Sequence, residues 1–445
     1  MNIVTRKLHL HFPAPGSPEK VHVNRAPWVV VATVATVEPE LDSFSLTFPL
    51  PYRVAFIVVL ATWLWGVNLH YLALLKIDVP SLIRYPARTS PHQPPHHLST
   101  YRLATVLSSI YAFSLLVFWI FTHRNPALVL AWDWLPLTYL IVLIGVFVAP
   151  LKNFSSAGRQ RFLHTLKRVS IGGIAEAKDG KFGDILLADV LTSYAKVFGD
   201  LYVALCMFFH TNGSATARPD RNCGGTIVVP LIMAIPSIIR LRQCLIEYGR
   251  VRRGRMDEKT GWGGQHLANA LKYSTAFPVI IFSALQRSWG PSATLYRAWV
   301  GACMVNSLYS FYWDVTKDWD LTLFAPARER NAPDHAFGLR RRLYIGPPTT
   351  YYGVILLDLL LRCTWSLKLS PHLDHIADFE SSIFIIEFLE VFRRWVWIFF
   401  RVETEWIRNN TSNTLPVLGQ DDIGQGILLG DYGNGGSHYK DEESD

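Results

Sequence analysis

Residues 381–401 read SSIFIIEFLEVFRRWVWIFFR. As an α-helix this stretch is about 30 Å long, enough to cross the hydrocarbon core of a bilayer, and most of it is aliphatic or aromatic. Yet Glu387, Glu390, Arg393 and Arg394 sit inside it. One charge at the centre of a membrane helix costs about 2.5–3.5 kcal/mol on insertion scales unless it is paired or hydrated. Arg393 and Arg394 lie among aromatic residues, too far from either end to snorkel readily. The segment makes sense only as one helix of a bundle whose neighbours supply polar partners. That reading sets the fold class, an all-α polytopic membrane protein.

The rest of the 445 residues agrees. Half are hydrophobic and only 18% are charged, too apolar a balance for an ordinary soluble domain of this size. Stretches of about twenty mostly apolar residues recur near 53–75, 100–122, 127–150, 186–210, 225–247, 266–286, 295–316 and 350–369. With 381–401 they make nine expected spans, within a range of eight to ten. The 15 Trp, 18 Tyr and 25 Phe suit membrane interfaces. No secretory leader precedes the first span, since the run from Trp28 to Val37 is too short.

Loops 151–185, 249–265 and 317–349 hold 18 Lys and Arg, against 3 in loops 211–224, 287–294 and 370–380. The positive-inside rule makes the rich loops cytosolic, together with the C-terminal tail, and nine spans then place the N-terminus in the lumen. The formal charge of +8 belongs to those loops, so nucleic acid is not an expected partner. The expected organisation is an N-terminal segment 1–51, helices and a basic loop over 52–181, a six-helix unit over 182–408, and a disordered tail over 409–445. Loop 86–98, with His92, His96 and His97, reads as a connector, and no metal site is expected. The five cysteines (Cys206, Cys223, Cys244, Cys303, Cys363) contain no CxxC pair and indicate neither zinc nor a disulfide framework. Of the glycosylation sequons only Asn212 falls in an expected lumenal loop.

Charged residues recur inside the apolar stretches: Asp189, Asp200, Arg240, Lys272, Arg297, Asp314, Asp358, Arg362, Glu387, Glu390, Arg393 and Arg394. Together they require a shared interior that is polar and basic. Several guanidiniums set among acids suit a multivalent oxyanion, because each planar fork can grip two phosphate oxygens. The alternative for any single residue is a structural salt bridge, and Arg297 and Glu387 fit that role best. No Gly-rich phosphate cradle, GxSxG or HExxH occurs, so neither catalysis nor a cofactor is expected.

The most specific local pattern is Trp313-Asp314-Val315-Thr316-Lys317-Asp318-Trp319, preceded by Asn306-Ser307-Leu308-Tyr309, with its two Asp one helical turn apart. It is accompanied by Ala188-Asp189-Val190-Leu191-Thr192-Ser193, Arg240-Leu241-Arg242-Gln243-Cys244-Leu245, His266-Leu267-Ala268-Asn269-Ala270-Leu271-Lys272-Tyr273-Ser274, and Glu390-Val391-Phe392-Arg393-Arg394-Trp395-Val396-Trp397. In this order the blocks resemble the EXS family of phosphate exporters, over about 182–408 with weaker similarity back to about 52. The resemblance implies a phosphate pathway lined by Asp189, Arg240, Lys272, Tyr273, Asp314, Asp318, Arg362, Arg393 and Arg394. Val190 and Asp320 depart from the family pattern, which has Gln and Gly there.

Large members carry an N-terminal SPX domain, which the short segment before the first span does not resemble. The chain is similar instead to SPX-less members of the Golgi, the ER-retention-defective type. That likeness implies export of inorganic phosphate from Golgi lumen to cytosol, supporting glycosylation and retention of resident proteins. A sorting factor for Golgi glycosyltransferases without transport is the alternative. Expected partners are phosphate and the lipid bilayer, with Golgi glycosyltransferases, sorting machinery or a second copy as a homodimer left open.

Overall fold

The computed structural model describes residues 41–85, 95–149, 156–176, 179–210, 213–254, 263–290, 292–330, 336–365 and 380–413. Residues 1–40, His92, Asn212 and the tail beyond Asn413 lie outside them. Within the described residues every regular element is helical. The principal helices are α1 (Leu50–Leu74), α2 (His96–Thr122), α3 (Trp134–Val148), α4 (Lys181–Ser193), α5 (Ala195–Phe209), α6 (Val228–Arg252), α7 (Gly264–Ser274), α8 (Ala276–Trp289), α9 (Ala293–Trp313), α10 (Pro348–Arg362) and α11 (Glu380–Asn413).

Helix lies in all nine apolar stretches, but among the described residues only α1, α2 and α6 are long and apolar enough to cross a membrane by themselves; the pair α4–α5, bent by 61°, makes up to a fourth. Two physical causes account for the difference. Several stretches are broken in mid-course, at Trp132, Tyr194 and Thr275. Others hold the charged residues that lower their mean hydropathy. Helix α11, 34 residues long, is the extreme case: charges run through it and it continues to Asn413, into the segment expected to be disordered.

Two apolar cores hold the bundle together. In one, Tyr52, Ala55 and Ile57 of α1 meet Leu103, Leu107 and Phe118 of α2 and Leu137 and Leu140 of α3. In the other, Leu69 and Leu72 of α1 meet Phe311, Tyr351, Ile355, Trp397 and Phe400 from α9, α10 and α11. Phe113 and Ile141 stay exposed on the outer faces of α2 and α3, as expected where lipid is the neighbour.

The cysteine expectation needs correction. Cys206 of α5 and Cys223 of the following loop form a disulfide, with Cα atoms 6.1 Å apart. Spacing alone could not reveal it, because the loop must first fold back onto α5. Gly224 makes that return possible: its φ of +75° is favourable for glycine, and a Cβ there would collide with the Tyr202 hydroxyl. Nearby, Arg221 and Arg53 both hold Glu380 at 2.7 Å, tying this loop to the starts of α1 and α11. In denaturant without reductant a maleimide is expected to react with the three free thiols, Cys244, Cys303 and Cys363. Reduction should raise the number to all 5 cysteines; full labelling before reduction would exclude the bridge.

Candidate functional site

Charged side chains gather where the helices break. Asp189 lies near the end of α4, just before the bend at Tyr194. Lys272 and Tyr273 lie at the end of α7, before the break at Thr275. Helix α9 widens into a π-helical turn over Asp314–Asp318, a distortion found often at functional sites. It presents both carboxylates to one cation, with Lys272 Nζ 3.0 Å from Asp314 and 3.3 Å from Asp318.

Around this centre are two further groups. On the α4–α6–α7 side, Arg240 donates through Nε to Asp189 at 2.7 Å, through Nη2 to the Tyr273 hydroxyl at 3.1 Å and through Nη1 to Gln243 at 2.6 Å. Tyr273 in turn donates to Asp189. Pro236 stands one turn before Arg240 and removes a ladder hydrogen bond from α6 there. On the α10–α11 side, Arg362 pairs with Asp314 and, at 3.1 Å, with Asp358 one turn behind it. Arg393 reaches Asp358 at 3.1 Å and Asp314 at 3.7 Å, and also pairs with Glu390.

Eight of the nine candidate residues thus fall in two groups, one of Asp189, Arg240 and Tyr273 and one of Lys272, Asp314, Asp318, Arg362 and Arg393, which meet where Lys272 Nζ lies 5.4 Å from the centre of the Tyr273 ring. Arg394, the ninth, adjoins them through hydroxyls. It donates from Nε to Ser193 at 2.9 Å and from Nη2 to Thr192 at 3.3 Å, and its guanidinium lies over the Trp397 ring. Ser193 passes the contact on to Glu390 at 2.8 Å. The Nη1 of Arg394 is buried and has no hydrogen-bond partner among the described residues. Arg401, buried on α11, also reaches Asp318 at 3.9 Å and pairs with Glu405 at 3.0 Å; with that pair the count is balanced, Arg240, Lys272, Arg362, Arg393, Arg394 and Arg401 against Asp189, Asp314, Asp318, Asp358, Glu390 and Glu405.

Sequence reasoning missed Thr192, Ser193 and Gln243 as members of the site, and did not include Asp358 and Glu390 in the lining. Spacing carried a signal for the first three. Thr192 and Ser193 follow Asp189 by three and four residues, and Gln243 follows Arg240 by three, so each shares a face with a charged residue already singled out. Arg297, by contrast, is exposed on α9 and takes no part.

The pattern of the EXS family matches residues 48–407, reaching back through α1–α3. The chain is 32% identical over 391 residues to "Protein ERD1 homolog 1" of Schizosaccharomyces pombe, covering 86% of this chain and 99% of that protein. It is 31% identical to "Protein ERD1" of Kluyveromyces lactis, over 64% of this chain and 73% of that one. It is also 26% identical to "Solute carrier family 53 member 1" of Mus terricolor, over 80% of this chain but 50% of that longer protein. With more than three quarters of its length inside the family pattern, and nearly all of one relative aligned, the chain belongs to the EXS family.

Proposed function

We propose that the chain exports inorganic phosphate from the Golgi lumen to the cytosol, without covalent chemistry, through the interior lined by the ionic network. One observation carries this reading: the buried, partnerless Nη1 of Arg394. A buried guanidinium that touches two hydroxyls and an aromatic ring but no carboxylate keeps an open donor edge, and an oxyanion is the partner that satisfies it. Its neighbours in the network are ion-paired, which lets the site release what it binds. The family resemblance supports phosphate as that oxyanion, and a relative named as a solute carrier supports transport.

Nine crossings give the bundle the topology this route needs, with broken helices lining the path as transporter helices do near the bilayer midplane. The Cys206–Cys223 disulfide supports the orientation. It lies in the loop poor in Lys and Arg, on the side read as lumenal, where oxidising conditions preserve such bridges. Retention of resident proteins and support of Golgi glycosylation follow as consequences of phosphate return.

The test is flux of radiolabelled phosphate into proteoliposomes holding the purified chain. Uptake above that of empty vesicles, suppressed by excess unlabelled phosphate, is the expected result. Flux equal to empty vesicles would sink the transporter reading and leave the sorting role as the alternative.

A further inference from the structure

The outer face of α6 repeats Leu231, Ile235, Ile238, Arg242, Leu245, Gly249 and Arg253, spaced by three or four residues, so all seven lie along one stripe. Leu231, Ile235, Ile238 and Leu245 are exposed, as is normal for a span that faces lipid. Arg242 is exposed in the middle of the same stripe. Counted from Gly249, it lies about 10 Å inside the apolar run, where an unpaired charge is costly. Among the described residues Arg242 makes no ion pair or hydrogen bond, and none of them supplies its counter-charge.

A groove of about 620 Å³ runs along this stripe, from Ile238 and Leu241 up to Arg250 and Arg253. Among the described residues no carboxylate lines it. Glu247, the nearest in sequence, is buried and taken up by Lys181 and Arg250. Backbone carbonyls of Ile174 and Ala175 also hold Arg250, fixing it at the rim. Gly249 leaves open space between the lower and upper guanidiniums, for nothing lies within 4 Å of where its Cβ would be.

We propose that this groove is a binding site for an anionic phospholipid of the cytosolic leaflet. Its phosphate sits among Arg242, Arg250 and Arg253, and an acyl chain lies on Ile238, Leu241 and Leu245. Charge complementarity selects this occupant: the groove is apolar below and cationic above, and basic pockets on the cytosolic side of membrane helices take anionic headgroups. A zwitterionic lipid would bring a quaternary ammonium in beside its phosphate, against the same three arginines.

The experiment follows the melting temperature of the full chain in neutral detergent. Short-chain dioctanoyl phosphatidylserine is titrated against dioctanoyl phosphatidylcholine, glycerophosphoserine and inorganic phosphate. Inorganic phosphate raises the melting temperature through the Arg394 site, so the lipids are compared at a saturating phosphate level, where only the anionic lipid should give a further rise that saturates. Its affinity should fall about fivefold in Arg242→Gln and about 25-fold in the Arg242→Gln, Arg253→Gln double variant. Arg242→Lys should retain most of the binding, which covers the case where the Gln variant is itself less stable. Equal further rises with phosphatidylcholine or with glycerophosphoserine would overturn the proposal, as would a phosphate response that itself weakens in Arg242→Gln, which would assign the groove to free phosphate. So would unchanged affinity in the double variant. Loss of a dimer in that variant without any lipid effect would instead assign the face to a second copy, and overturn it equally.

Discussion

Arg394→Ala is expected to lower phosphate flux by roughly 100-fold, the loss of one or two charge-assisted hydrogen bonds to the anion, while the protein remains folded. The reasoning rests on what Arg394 touches. Its protein contacts are the Ser193 and Thr192 hydroxyls and the face of Trp397, and truncation leaves no carboxylate stranded in the interior. Arg362→Ala or Arg393→Ala should behave differently. Each would strip charge compensation from Asp314 and Asp358, and removing one partner of a buried ion pair is strongly destabilising. Those variants should therefore lose yield and melting temperature along with flux, whereas Arg394→Ala should lose flux alone. Arg394→Lys should fall between, because an ammonium keeps the charge without the planar fork. Flux measured per folded protein, beside a thermal melt of the same preparations, separates the cases. Normal flux in Arg394→Ala would remove the open guanidinium edge from the pathway.

Much of this was legible in the sequence because charge inside an apolar run is so improbable unless partners exist. Asp189, Arg240, Lys272, Asp314, Arg362 and Arg393 each stand out on that ground, and the structure pairs Asp189 with Arg240 and gathers Lys272, Arg362 and Arg393 around Asp314. Which cation pairs with which acid was not legible. Lys272 meets Asp314 across 42 positions and Arg240 meets Asp189 across 51, and pairing over such separations depends on how helices pack. Nor could apolar periodicity show the bends at Tyr194 and Thr275, since hydropathy runs straight through both. The disulfide escaped for a related reason: Cys206 reads as part of an apolar helix, and only the fold of the next loop brings Cys223 to it.

The breaks and the charges explain one another. An uninterrupted helix keeps its backbone groups paired and offers only side chains to its neighbours. Where α9 widens into the π-turn, Trp319 N–H bonds to the Asp314 carbonyl five residues back, and the added residue rotates Asp318 toward Lys272. A straight α-helical ladder there would place Asp318 at a different angle to the centre, so the irregularity positions a ligand for Lys272. Hydrophobic interiors tolerate such turns only when tertiary contacts hold them. Val315, Trp319 and Leu321, all fully buried against α11 and its neighbours, provide those contacts.

Glu403→Ala is expected to destabilise the folded protein by about 3–5 kcal/mol, as breaking a buried ion pair typically does. Glu403 is wholly buried on the part of α11 that runs beyond the expected span. One of its oxygens pairs with Arg340; the other accepts from the Tyr351 hydroxyl and the Tyr344 N–H, each at 2.6 Å. Alanine would leave a buried guanidinium without its counter-charge and two donors without an acceptor. Glu403→Gln should do less harm, because the amide oxygen can still accept from Tyr351 and Tyr344 while the charge on Arg340 goes unmatched. This cluster shares no residue with the Arg394 site, so flux per folded molecule should stay near that of the wild type even as yield and melting temperature fall. A Glu403→Ala protein that melts like the wild type would show that the end of α11 is anchored by its apolar contacts, Phe400 and Val402 among them, and that the ion pair with Arg340 adds little.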